Sequence, residues 1–385
     1  MIKSIEIKNF KSIKSKKFQL RNLNVLLGLN GHGKSSFIQA LLVLRQSADT
    51  LKKGVLQLNG NEFEVGSTKD ALYQYFDKNE SLSLKLTFDD KEPYYMAFDY
   101  TIGSDVFNQM NLKRDVYDDP IAGIDYEQPL FGRSFQYLNA NRIEPQSIHK
   151  KSYTSVVTNN NIGSLGQYTV DYLETKGDED IDFDNCIHHK TVLLKNNQGS
   201  VLRDKRLKNQ VNLWMSEISP DISIRTTTVS SDLVKLEYEF EQPTYGKTMP
   251  FKPENVGFGI SYSLHVVVAL LKAKAGDLLI IENPESHIHP RGQAKLGKLI
   301  ALVAHNDVQI IIETHSDHIL NGIRVGIKES PELKKKTILF YFKKIVTPIE
   351  QYSKVTNIEI DKNGTLSEYP EGLLDEWSNQ LSKLV

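Results

Sequence analysis

The sequence predicts an α/β fold with a mixed or parallel sheet, an antiparallel β region and inserted helical segments. From about residue 255 onward, short apolar runs alternate with helical patterns, which is typical of a parallel sheet covered by helices. Residues 82–88 and 233–240 instead alternate between polar and apolar positions, as half-buried antiparallel strands do. No sustained heptad repeat occurs between residues 55 and 250, so we expect no long coiled coil.

The composition is that of a globular protein without a global charge bias. The 385 residues include 39% hydrophobic and 25% charged residues, and the formal net charge is -1. Only a local patch could therefore favour nucleic acid or a membrane surface. The single cysteine, Cys186, excludes an intrachain disulfide and fits a reducing compartment. The longest apolar run, residues 264–271, is too short to span a bilayer, so we expect a cytoplasmic protein without a membrane partner.

The N-terminal elements lead into a glycine-rich loop. Residues 2–10 alternate with period two, and residues 18–27 contain a second and a third apolar run that end at Gly28. After Gly33, apolar residues recur at helical spacing, so the loop is predicted to lie between a strand and a helix N-terminus. The first 22 residues also carry seven basic residues against the single acid Glu6, which predicts a solvated hairpin or, alternatively, a DNA contact. These basic residues are Lys3, Lys8, Lys11, Lys14, Lys16, Lys17 and Arg21.

Residues 28–35 read GLNGHGKS, which matches the pattern of a phosphate-binding loop. Glycines allow the backbone N–H groups and the helix N-terminus to point at phosphate oxygens. Lys34 is expected to neutralise the β and γ oxygens, and Ser35 is expected to hold Mg²⁺. The alternative is a glycine turn without a ligand. The predicted nucleotide-binding residues are Gly28, Asn30, Gly31, Gly33, Lys34, Ser35 and Ser36.

Acidic and polar side chains follow two predicted strands. The apolar run 278–281 ends in Glu282 and is followed by Glu285, at the edge of a parallel sheet where ligands bind. We expect Glu282 to bind Mg²⁺ and a second acid to polarise the attacking water. The next strand leads to His315, whose position predicts a contact with the γ-phosphate, although a structural role stays open.

Residues 255–261, NVGFGIS, precede an apolar helix that is expected to begin near Tyr262. Gly257, Gly259 and Ser261 are predicted to form a second anion-binding nest. Because one γ-phosphate needs one nest, a second nest suggests an ATP sandwich in which each subunit contacts the nucleotide of its partner. The alternative is a glycine hinge before a helix.

In this order and spacing, several strings resemble those of ABC-type ATPases of the RecF, SMC and OLD-nuclease superfamily. The strings are IKNFKSI, LNGNEFEVGSTKDAL, YLNANRIEP, NVGFGIS, ENPESHIHPRGQ, ETHSDHILNGIR and IEIDKNGTLSEYPEGLLDEW. The most similar members are compact prokaryotic AAA-like ATPases with a short C-terminal domain of unknown function. The resemblance implies a phosphate-loop ABC-type ATPase head over residues 1–326, with an inserted lobe at 55–250, and a short C-terminal domain at 327–385. It also implies ATP and Mg²⁺ as cofactors, a homodimer, and a nuclease or toxin effector in DNA repair or anti-phage defence.

Two departures from the superfamily limit what the resemblance implies. Many members have an Asp–Glu pair where this chain has Glu282 and Asn283, and an amide cannot accept a proton from water. Glu285 is then the nearby candidate for the general base, although it could be structural. In addition, the residues after Gly326 show no cluster of nuclease-type acids, so any cutting of nucleic acid is expected of a partner.

Other interpretations stay open at the level of sequence. Imidazole and carboxylate groups could form a hydrolytic metal centre. A slow ATPase that controls an effector competes with a non-hydrolysing scaffold or DNA clamp, and less well with a transporter ATPase. Arg142 and the lysines at 334–336 are further candidates for DNA contacts. The residues of the alternative metal centre are Glu285, His287, His289, His315 and Asp317.

Overall fold

The computed structural model describes the chain except for residues 78, 90, 111–126, 196–200, 245 and 385. The chain divides into two compact units. Unit 1 consists of residues 1–132, 337–359 and 366–385, and unit 2 consists of residues 133–336 and 360–365. The segment predicted as a C-terminal domain, 327–385, thus contributes strands to the unit that contains the N-terminus.

Unit 1 contains a six-stranded antiparallel sheet and a second group of three strands. The strands are β1 (Ile2–Phe10), β2 (Ile13–Gln19), β3 (Leu23–Leu27), β4 (Val55–Gln57), β5 (Leu82–Phe88), β6 (Tyr94–Asp99), β7 (Val106–Gln109), β17 (Thr337–Val346) and β18 (Gln351–Ile358). The antiparallel sheet has the order β2-β1-β5-β6-β7-β4. In the second group, β17 runs parallel to β3 and antiparallel to β18. The helices are α1 (Lys34–Gln46), α2 (Ala48–Leu51), α3 (Thr68–Ala71) and α10 (Glu376–Leu381).

The core of unit 1 is formed by aromatic side chains from β2, α1 and β17. Phe18 packs against Phe37 with ring centroids 4.5 Å apart, and against Phe340 at 5.4 Å. All three side chains are fully buried. This aromatic cluster fixes α1 against the strands, because close-packed rings leave little room for the helix to shift.

Unit 2 contains a parallel group of three strands and an antiparallel sheet. The strands are β8 (Phe135–Leu138), β9 (Ile148–Lys150), β10 (Leu193–Lys195), β11 (Val201–Arg203), β12 (Ile222–Thr228), β13 (Leu233–Gln242), β14 (Gly246–Lys247), β15 (Leu278–Glu282) and β16 (Gln309–Glu313). Strand β15 lies between β8 and β16 and is parallel to both. Strand β13 pairs with β12, β14 and β9, and β10 pairs with β11.

The helices of unit 2 alternate with the parallel strands, as the sequence predicts. They are α4 (Thr169–Lys176), α5 (Leu207–Ile218), α6 (Phe258–Leu271), α7 (Pro290–His305), α8 (Asp317–Glu329) and α9 (Leu333–Lys336), with a π-helical turn at Thr154–Thr158 and 3₁₀ turns at Asp184–Cys186 and Pro253–Asn255. No helix among the described residues has the length and apolar character that crossing a membrane requires. The mixed α/β architecture with an antiparallel β region is confirmed.

Two predictions about local structure need comment. Helix α6 begins at Phe258, four residues before the start expected near Tyr262, because glycines at 257 and 259 do not prevent helical turns at an N-terminus. Within the predicted lobe 55–250, strands β4 to β7 belong to unit 1, whereas the residues from 133 onward belong to unit 2.

Candidate nucleotide-binding site

The phosphate loop of unit 1 has a backbone conformation that requires glycine. Gly28, Gly31 and Gly33 have φ angles of 130°, 74° and 102°, in the region that side chains with a Cβ rarely adopt. Gly33 is the N-cap of α1, and no side chain caps this helix. The glycines therefore allow the chain to turn at the N-terminus of α1, the positive end of the helix dipole, where anions bind.

Lys34 and Ser35 differ in the solvent exposure of their side chains. The Lys34 side chain is buried, with 3% of its surface exposed, and its Nζ donates hydrogen bonds to the carbonyls of Gly28 (2.9 Å) and Leu29 (3.1 Å). Ser35 is exposed in the first turn of α1, and Asn30 is exposed at the loop. These residues suit a phosphate chain with Mg²⁺, because the ammonium is held at the loop while a hydroxyl remains accessible to the metal.

In unit 2, Glu282 ends strand β15 in a half-buried position. Its Oε1 accepts a hydrogen bond from the Tyr137 hydroxyl at 3.0 Å, and its Oε2 accepts one from the Ala140 N–H at 3.4 Å. Burial and the neighbouring Glu313 raise the pKa of Glu282. A divalent cation near this carboxylate would therefore stabilise its charged form, so the group fits the predicted metal-binding role.

Asn283 lies in a sharp turn of the backbone directly after β15. Its φ is 43°, in the left-handed region that asparagine tolerates better than most residues with a Cβ. Its N–H donates to the Glu313 carbonyl at 2.8 Å, and its own carbonyl accepts from Ser286. The residue thus turns the chain sharply after β15.

Both carboxylate oxygens of Glu285 accept hydrogen bonds from the end of the neighbouring strand. The Thr314 hydroxyl donates to Oε2 at 2.7 Å, and the His315 N–H donates to Oε1 at 2.8 Å. Glu285 therefore fixes the polypeptide that follows β16 against the turn that follows β15. This geometry places Glu285 beside His315 and gives it a structural task in addition to any catalytic one.

Arg142 is not a surface residue, contrary to the prediction that it could contact DNA. Its side chain is buried and donates to the carbonyls of Glu282 (2.5 Å) and Asn283 (3.2 Å). Burial lowers the pKa of Arg142 to about 10, and the carboxylates of Glu285 and Glu282 oppose this shift. The guanidinium thus stabilises the turn at Asn283 through these two hydrogen bonds. The sequence offered no signal for this role beyond the position of Arg142 in YLNANRIEP.

The alternative metal centre is not assembled. Among the described residues, no group of three metal-ligating side chains includes His287, His289 or His315. The His287 ring packs against Phe258 and Tyr262, with centroids 5.9 and 5.2 Å apart. His289 Nδ1 caps α7 by accepting from the Arg291 N–H. Steric packing and capping therefore account for the first two histidines.

A different cluster, His188, His189 and Glu217, has ligand-type atoms close together in unit 2. The Lys190 N–H donates to His188 Nδ1, which leaves the ring proton on Nε2, where it faces Glu217 Oε1 at 3.2 Å. Lys295 Nζ lies 3.1 Å from the other carboxylate oxygen. These contacts join His188, Glu217 and Lys295 in one buried network of hydrogen bonds and an ion pair.

The glycines of the predicted second nest differ in their surroundings. A Cβ at Gly257 would meet no atom within 4 Å, whereas a Cβ at Gly259 would lie 2.1 Å from the His287 carbonyl oxygen. Ser261 lies inside α6, is buried, and has its Oγ 3.2 Å from the Tyr238 hydroxyl. Gly257 and the N-terminus of α6 are thus the accessible part of this segment.

Several N-terminal basic residues are paired with acids of unit 1. The ammonium groups of Lys3, Lys8 and Lys14 lie 2.6, 2.9 and 2.6 Å from carboxylate oxygens of Asp89, Glu80 and Glu350. Their charge is therefore partly neutralised within the sheet. This pairing favours the solvated-hairpin interpretation over a DNA contact.

The glycine-rich loop before α1 has the sequence and the backbone conformation that define a phosphate-loop nucleotide-binding protein. The chain belongs to the family described as "AAA domain, putative AbiEii toxin, Type IV TA system", which matches residues 23–321. Residues 334–384 match a second family, described as "Protein of unknown function (DUF3696)". The predicted superfamily of ABC-type ATPases is confirmed by these matches and by a relative of the OLD type.

That relative is the Old nuclease of Escherichia phage P2, which is 22% identical over 370 residues. The alignment covers 87% of this chain but 61% of the nuclease, so the chain matches about three fifths of its relative. Among solved structures, the SMC head domain from Thermotoga maritima aligns with a TM-score of 0.45 and 12% identity over 93% of this chain and 99% of that one. An SMC head bound to the C-terminal winged-helix domain of ScpA aligns with a TM-score of 0.47 and 14% identity over 94% of this chain and 98% of that one.

Proposed function

We propose that the protein binds ATP with Mg²⁺ through the phosphate loop at residues 28–36 and hydrolyses it slowly. The conformation of this loop carries the proposal, because three glycines with positive φ and the buried Lys34 ammonium converge at the N-terminus of α1. We assign metal binding to Ser35 and Glu282, and the activation of water to Glu285. His315 is assigned to the γ-phosphate.

We further propose that ATP closes a homodimer through the Gly257 segment and that this closure controls a partner protein. The names of the matched family and of the phage P2 relative, a putative toxin and a nuclease, support an effector of that kind. We also propose a role in anti-phage defence or DNA repair, as the resemblance to the RecF, SMC and OLD-nuclease superfamily implies.

A second candidate function is a scaffold or DNA clamp that binds ATP without hydrolysing it. Asn283 favours this candidate, because the position after Glu282 carries an amide. Steady-state release of phosphate by the purified wild-type protein distinguishes the two functions. Sustained turnover supports the ATPase, and tight ATP binding without turnover supports the scaffold.

The first prediction tests the phosphate loop. Lys34→Ala is expected to abolish ATP binding, because charge-assisted hydrogen bonds to the phosphates are lost. Isothermal titration with ATP and Mg²⁺ measures this effect, and Lys53→Ala, an exposed lysine of the same unit, is the matched control. If Lys34→Ala binds ATP as tightly as the wild type does, the nucleotide assignment of the loop is wrong.

A further inference from the structure

The phosphate loop forms hydrogen bonds with strand β18, in the C-terminal segment of the chain. Ser353 of β18 is buried, its N–H donates to the Ser12 carbonyl at 2.8 Å, and its hydroxyl donates to the His32 carbonyl at 2.7 Å. A Cβ at Gly33 would lie only 2.2 Å from Ser353 Oγ. The loop is therefore in direct contact with β18.

Three serine hydroxyls form one chain from β18 to α1. Ser353 Oγ lies 2.8 Å from Ser12 Oγ, which lies 3.1 Å from Ser36 Oγ in the first turn of α1. Each hydroxyl has one proton, so the Ser353 hydroxyl donates to one acceptor at a time, either the His32 carbonyl or Ser12 Oγ. Hydrogen bonds that share a hydroxyl strengthen one another, so the loss of one hydroxyl weakens the support of the whole loop.

β17 supports the same loop through its backbone. His32 Nδ1 lies 3.2 Å from the Phe342 carbonyl oxygen, and a Cβ at Gly28 would lie 2.3 Å from that oxygen. Both ends of the phosphate loop thus contact strands that belong to the family of unknown function.

A cavity of about 720 Å³ lies beside the loop within unit 1. Gly31 borders it, and a Cβ there would meet no atom within 4 Å. Lys11, Tyr75 and Tyr352 also line it. Lys14 Nζ lies 5.9 Å from the centre of the Tyr352 ring, so a cation interacts with that ring. The cavity offers aromatic surface and a lysine next to the phosphate loop, which suits a nucleoside.

We propose that the C-terminal segment, residues 337–359, takes part in binding the nucleotide. Ser353 is a positioning residue that holds the loop in its phosphate-binding conformation. The cavity beside Gly31 receives the nucleoside of the bound nucleotide, with Tyr352 as a ring contact. This inference rests on the proposed binding of ATP.

Binding of ATP and of inorganic tripolyphosphate, each with Mg²⁺, separates the two roles. Ser353→Ala is expected to weaken both ligands by about 3- to 10-fold, because the loop that contacts phosphate is less well fixed. Tyr352→Ala is expected to weaken ATP about tenfold and to leave tripolyphosphate unchanged, because only the nucleoside contacts the ring. Lys354→Ala changes an exposed side chain of the same strand and is expected to bind both ligands like the wild type.

Ser12→Ala removes another hydroxyl of the same chain, from the β1–β2 turn, and is expected to weaken both ligands as Ser353→Ala does. If Ser353→Ala does not fold, Ser12→Ala serves as the test in its place. The inference is overturned if the serine variants bind both ligands normally, or if Tyr352→Ala weakens tripolyphosphate as much as ATP. The proposed function fails separately, when the wild type does not bind ATP or binds it independently of Lys34.

Discussion

Glu285 has a structural task in addition to the catalytic one that we propose for it. Its oxygens accept from the Thr314 hydroxyl and the His315 N–H, which fixes the residue between two strand ends. Oε1 also accepts from the Asn283 side-chain amide at 3.5 Å, whereas Oε2 accepts from Thr314 and retains a second lone pair with which a carboxylate can orient and deprotonate water. The general-base role of Glu285 is therefore a prediction for kinetics.

Glu285→Gln is expected to retain ATP and Mg²⁺ binding while turnover falls about 10²–10⁴-fold, because general-base assistance is lost. Phosphate release and ATP titration measure the two effects. Thr314→Val is the matched control, since it removes the hydroxyl bond to Oε2 but retains the carboxylate, and a smaller loss of turnover is expected. Wild-type turnover in Glu285→Gln would remove this residue from catalysis.

Helices α7 and α8 approach each other at two glycines. A Cβ at Gly297 would lie 2.2 Å from the Ile319 carbonyl oxygen, and a Cβ at Gly322 would lie 2.1 Å from the Ala294 carbonyl oxygen. Helix α8 follows directly after His315, so this helix pair positions the polypeptide at the end of β16. Close backbone contact requires glycine here for steric reasons alone.

Gly322→Ala is therefore expected to destabilise the protein by about 1–3 kcal/mol, because the helices must separate to admit the methyl group. Differential scanning fluorimetry should show a decrease of the melting temperature by a few degrees. Val325→Ala, at a half-exposed position of the same helix, is the control with little expected change. An unchanged melting temperature in Gly322→Ala would mean that the helix pair adjusts without cost.

At the scale of the whole molecule, the proposed dimer can be tested at Gly257. The site tolerates a side chain within the subunit, since a Cβ would meet no atom within 4 Å and the φ of -59° suits any residue. Ser261 is unsuitable for this purpose, because it is buried against Tyr238 and a large residue there would disturb the fold.

With ATP and Mg²⁺, Glu285→Gln is expected to sediment as a dimer, because mass action favours the closed form when hydrolysis is blocked. Adding Gly257→Arg should return it to the monomer by placing bulk and charge at the shared surface, while the free subunit still binds ATP. Gly257→Ala is the mild control. An ATP-stable dimer of the double variant would refute the sandwich.

The sequence by itself determined the phosphate loop and the class of protein, because these depend on local rules. Glycine spacing, one lysine and flanking apolar periodicity specify a strand, a loop and a helix without reference to distant residues. The same local rules placed strands β1, β5 and β15 within one residue of their observed ends.

The tertiary structure alone decided which residues support that loop and which support the acids. Ser353 lies 321 positions from His32 along the chain, and Arg142 lies 140 positions from Glu282, yet each forms a direct hydrogen bond. No local periodicity encodes such contacts, since they result from strand order and burial. For the same reason Arg142 was misassigned to the surface: a charged residue in a polar stretch is usually solvated, and only the packed chain supplies the carbonyls that allow its burial.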